Sequence, residues 1–90
     1  MDSENILMCL EELADKLGIE VRWDTLAGPG GLCELRGKRI LMVDRTLDDL
    51  TKIDVMAAAL CDEPVEDLYI LPEVREILEK AKLNKQVGAE

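Results

Sequence analysis

The sequence predicts an α+β fold, a three-stranded and mostly antiparallel sheet packed with about three helices in the order α-β-β-β-α-α. Three observations predict it. Apolar residues recur at helical spacing near both ends, as Ile6, Leu10, Leu13 and Leu17 and as Val74, Ile77, Leu78 and Ala81. Residues 19–23, IEVRW, alternate apolar and charged, the period of a half-buried strand. The run GGLCELRGKRILMV, 30–43, has strand composition broken by Arg36-Gly37, and a two-residue break ending in Gly suits a tight hairpin.

Each element follows from local signals. Residues 3–17 read as a helix with Ser3 as N-cap, Glu4 at the positive end of the helix dipole, and Gly18 where a left-handed C-cap is wanted. Glu11, Glu12, Asp15 and Lys16 fill its outer face. In strand 19–23, Ile19, Val21 and Trp23 point to one face, Glu20 and Arg22 to the other. Asp24–Gly31 is a loop punctuated by Pro29 and three glycines. Strands 32–35 and 38–43 form the hairpin 32–43. The second is apolar on both faces, which suits a central strand or one covered by a partner chain.

A second helix starts at 46 or 48 and runs to 61. Thr46 and Asp49 are spaced as a capping box, and Leu50, Ile53, Ala57 and Leu60 form its stripe. The run Ala57-Ala58-Ala59 makes it slim enough to lie close to a sheet, and Glu63-Pro64 ends it. Leu68–Leu71 reads as a short apolar, extended segment. Pro72 opens the third helix at the position where its missing N–H costs nothing. Residues 1–83 make a single domain, and 84–90 a frayed tail.

Composition limits the functions open to the chain. Ninety residues leave room for one core, and with only Trp23 and Tyr69 aromatic that core is aliphatic. The net charge of −9 repels a phosphate backbone and anionic lipid, so no nucleic-acid or membrane partner is expected. No apolar run approaches membrane-spanning length, and the start Met1-Asp2-Ser3-Glu4 lacks a signal-peptide pattern; a cytoplasmic protein of bacterial type is the expectation. Cys9, Cys33 and Cys61 are odd in number and widely spaced. They read as small core hydrophobes in a reducing compartment, not as a disulfide framework or zinc site.

The segment 28–45 invites chemical readings, and most fail. Gly37-Lys38 is followed by Arg39, and Leu32 stands where a P-loop needs its first glycine. Gly28-Pro29-Gly30 opens a dinucleotide fingerprint whose last glycine is Cys33. Cys33 has cations nearby in sequence, but the chain contains no histidine, so a Cys–His hydrolase is excluded. Paired carboxylates such as Glu11-Glu12 and Asp48-Asp49 read as solvated helix faces. No catalytic, metal-binding or cofactor-binding residue is assigned. The basic group Arg36, Lys38, Arg39 and Arg45 is the candidate interaction surface, and Cys33 the candidate reactive thiol.

The stretches LGIEVRWDTL, GGLCELRGKRILMVDRTL, DVMAAALCD and DLYILPEVREILEK together resemble a set of small bacterial proteins marked by a GGLC-x-x-RGK-R hairpin. The likeness spans roughly residues 6 to 80 and implies a fold type, with no activity attached. A fainter likeness is to the ImmA/IrrE-type zinc metallopeptidases, in which a helix, a short strand, a hairpin and a second helix follow in this order. Their H-E-x-x-H motif laid on this chain puts Ala58 and Asp62 at the two His places and Ala59 at the Glu place, so the resemblance implies a truncated, zinc-less relative.

The expected function is therefore that of a non-catalytic protein-interaction or regulatory module with no cofactor, self-association being kept open. Two other readings stay open: a small-anion or ligand binder using the Gly28–Gly31 loop and the basic hairpin, and a thiol-based sensor at Cys33.

Overall fold

The apolar run at 40–43 takes the centre of the sheet, and the rest of the architecture is arranged around it. A computed structural model describes residues 2–25, 28 and 30–88, with side chains through Lys85. The elements are α1 (Ser3–Lys16), β1 (Ile19–Asp24), β2 (Gly30–Leu35), β3 (Lys38–Asp44), α2 (Asp49–Leu60) and α3 (Pro72–Gly88). This is the predicted α+β order. Leu26, Ala27 and Pro29, part of the expected loop, lie outside the described residues.

The strand order is β1-β3-β2. β2 and β3 pair antiparallel, Leu35 opposite Lys38 through to Gly30 opposite Val43, while β1 runs parallel to β3 from Ile19–Arg39 to Asp24–Asp44. The sheet is thus mixed where the sequence suggested mostly antiparallel. After β1 the chain crosses to the far edge before the hairpin returns, so β3 slots in alongside β1. Arg36 and Gly37 close the hairpin with φ of 53° and 81°, both left-handed as a type I′ turn requires.

The three helices share one core with one face of the sheet. Leu41 and Val43 of β3 and Ile19 of β1 are buried against Leu10 and Leu13 of α1, Ile53, Met56 and Leu60 of α2, and Val74 and Leu78 of α3. The apolar face of α1 is wider than its stripe suggested, since Leu7 and Ala14 are buried too, while Ile6 and Leu17 are half-buried. Among the described residues no helix is long and apolar enough to cross a membrane.

Local expectations are corrected at several points. Asp2, not Ser3, caps α1, its carboxylate accepting from the Asn5 N–H at 2.9 Å; a charged acceptor suits the positive end of the dipole better than a hydroxyl. Thr46 forms no capping box with Asp49. Its N–H and hydroxyl both donate to Asp44 Oδ1, at 2.9 and 2.7 Å, which holds a turn and delays the helix to Asp49. Leu50 is 69% exposed at the mouth of a groove between α1, α2 and α3, and Met56 is the buried residue that the expected stripe left out. In Leu68–Leu71, the Leu68 N–H donates to the Val65 carbonyl and closes a turn, and Ile70 alone of the segment is buried. α3 continues to Gly88, into the segment expected as a tail, and Lys85 within it reaches Asp62 at 2.9 Å.

Candidate functional site

The basic residues singled out in the sequence are dealt to different places. Arg36 and Lys38 lie at the exposed hairpin turn. Arg39 points to the helix side of the sheet and is tied by an ion pair to Glu63 just beyond α2. That hydrogen bond to Glu63 holds its guanidinium above the usual range, and Glu34, its cross-strand partner, adds to the effect. Arg45 follows the other end of β3, so it cannot join the hairpin residues: the seven-residue strand between them spans about 23 Å. The structure brings Arg36 and Lys38 together and separates Arg39 and Arg45 from them.

The glycine-rich segment is more strand than loop. Gly28 is exposed, but Gly30 and Gly31 belong to β2. Gly30 has φ of 111°, and a Cβ there would collide with the Met42 carbonyl, so this glycine serves a close backbone approach within the hairpin. Cys9, Cys33 and Cys61 are free thiols; Cys33 is exposed, Cys9 half-buried and Cys61 buried. Among the described residues no group of three or more Cys, Asp or Glu is placed to hold a metal ion.

What the structure assembles instead is an open edge. β2 is an outer strand with five of its six residues exposed. Among the described residues no helix or strand packs along its outer side. The two-residue turn closes on the pair Leu35–Lys38, a hydrogen-bonded pair by hairpin geometry. Alternation along the ladder then points the N–H and C=O of Leu35, Cys33 and Gly31 at β3. The same groups of Glu34, Leu32 and Gly30 point outward.

Beside that edge on the helix side runs a groove of about 470 Å³, lined by Gly30, Leu32, Val55, Ala58, Ala59 and Asp62 among others. Ala58, Ala59 and Asp62 are the positions on which the metallopeptidase motif was laid. Here two of them are a smooth methyl surface, and the third is ion-paired with Lys85, which raises that lysine's pKa.

Among the described residues no helix packs on the opposite face of the sheet. Ile40 is buried there to 2% exposure, set between Glu20 of β1 and Cys33 of β2 in register. Arg22 folds onto Glu20 beside it, and that contact lowers the Glu20 pKa. Met42 is half-buried, and Cys33 and Leu35 are exposed on the same face. β3 is thus both central and covered by helices on one side alone. The exposed Leu32 and Leu35 and the groove along α2 were not singled out in the sequence. The signal for them was the scarcity of charge in GGLCEL, where Glu34 is the one charged residue.

Comparison with protein-family models, with curated proteins and with solved structures returns no match.

Proposed function

We propose that this chain is a non-catalytic protein-interaction module whose binding element is the outer edge of β2, with the groove along α2 behind it. The observation that carries the reading is the open edge: three outward N–H and C=O pairs on a strand with one charged residue, beside an alanine-lined groove whose carboxylates, Asp62 and Glu63, are ion-paired. Extended segments add to such edges by main-chain hydrogen bonds, and adjacent pockets take their alternate side chains. The three free cysteines fit a reducing setting such as a bacterial cytoplasm.

Photo-crosslinking tests the reading. A photoreactive residue at Leu35, exposed beside the edge, is expected to give discrete protein adducts in a lysate of the native host, and the same residue at Glu76 on α3 to give none. Equal labelling from both positions, or none from either, overturns the proposal.

A further inference from the structure

Resting on that reading of β2, we infer that the strand added at its edge is β2 of a second copy, paired antiparallel about a twofold axis through Leu32. Three observations converge on this occupant.

The first is hydrogen-bond register. The outward groups belong to alternate residues, Gly30, Leu32 and Glu34, and a twofold axis at Leu32 sets Gly30 opposite the partner's Glu34 and Leu32 opposite its own copy. Every outward group on the strand finds a partner in that register, so one strand supplies both halves of a complete ladder.

The second is charge. The chain is strongly acidic, yet residues 25–43 hold one acidic residue, Glu34, against Arg36, Lys38 and Arg39. Two copies can therefore approach along β2 without the repulsion they meet elsewhere. The hairpin turn is basic, with Glu34 and Glu20 as its acidic neighbours, and the far end is mostly acidic, although Asp44 there is buried and hydrogen-bonded to Thr46. Arg36 and Lys38 sit at the hairpin end, while Asp24 and Asp44 end the other two strands at the far end, with Asp48 and Asp49 opening α2 beyond them and Arg45 among them. Antiparallel pairing brings the basic turn of each copy to the acidic end of the other, whereas parallel pairing would set like beside like.

The third is shape. On the helix side of the edge, Ala58 and Ala59 leave room for the partner's Leu32, which is 38% exposed in the single chain. Asp62 and Glu63 close by are held by Lys85 and Arg39, so the groove presents paired charges to an approaching acidic chain. The result is a continuous six-stranded sheet with the two α2 helices on one side.

Sedimentation of the purified chain tests this. A concentration-dependent monomer–dimer equilibrium is expected. Leu32→Pro removes an outward N–H and no ladder bond to β3, and it is expected to raise the dimer dissociation constant roughly tenfold or more at unchanged circular dichroism. If that variant does not fold, Leu32→Lys, a charge on the edge, is expected to do the same. A strict monomer at the highest attainable concentration overturns the homodimer, as does a dimer that both Leu32 variants leave intact. Adducts to a different protein from Leu35, with a monomeric purified chain, would overturn this occupant while leaving β2 as the binding edge.

Discussion

The two outer strands of this sheet, β1 and β2, are of equal length and flank the same central strand, but they meet solvent in opposite ways. β1 carries Glu20, Arg22 and Asp24 at every second position, with the first two paired to each other. β2 reads GGLCEL, with one charge, no proline and two glycines. Exposed edges are ordinarily blunted by charge, proline or bulges, because an unpaired ladder is a template for another chain. One edge of this molecule has that protection and the other lacks it. In so acidic a chain, an edge with a single charge is where association is least opposed.

The comparison can be broken or sharpened by substitution. The largest effect is expected at the strand both edges share: Leu41→Ala, at a fully buried site of β3, should cost about 2–5 kcal/mol in urea unfolding and loosen both edges together. Next is Gly30→Ala, which drives a Cβ into the Met42 carbonyl and should cost roughly 1–3 kcal/mol, whereas Glu20→Ala on β1 should change stability by less than about 0.5 kcal/mol. If the two cost the same, the start of β2 is not held against β3 as described.

A smaller effect concerns access. Cys33 should alkylate before Cys9 and well before Cys61, and mass spectrometry of the first modified species should place the label at Cys33. The smallest is electrostatic. Lys85 has its pKa raised above 10.5 by the hydrogen bond from its ammonium to Asp62, so the pair adds stability below about pH 10.5 that is lost as the pH rises through the folded value. The melting-point gap between wild type and Lys85→Met should accordingly be flat at neutral pH and close in strong alkali. Both groups are largely exposed, so the gap is small.

Much of the fold was legible because its signals are local. The alternation of IEVRW, the Arg36-Gly37 break and Pro72 at the head of α3 each act within a few residues, and each element stands where those signals put it. The parallel pairing of β1 with β3 was not legible, since it depends on which strand wins the centre. The two-sided apolar character of Ile40 to Val43 pointed to that outcome without giving its direction.

The candidate site was the least readable part. Arg36, Lys38 and Arg39 look like one patch in sequence, but successive strand residues face opposite sides, so Arg39 turns inward to Glu63. The site that emerges is made of backbone groups on alternate residues of β2 and of methyl groups on α2. A single sequence carries no strong mark for either.

Hydrogen exchange of the β2 amides as a function of protein concentration tests the central claim most directly. In dilute solution the Leu32 and Glu34 amides should exchange quickly while those of Cys33 and Leu35, bonded to β3, are protected. On concentration the Leu32 and Glu34 amides should slow, with those of β1 unchanged. Exchange at Leu32 and Glu34 that is independent of concentration would contradict pairing between two copies along this edge.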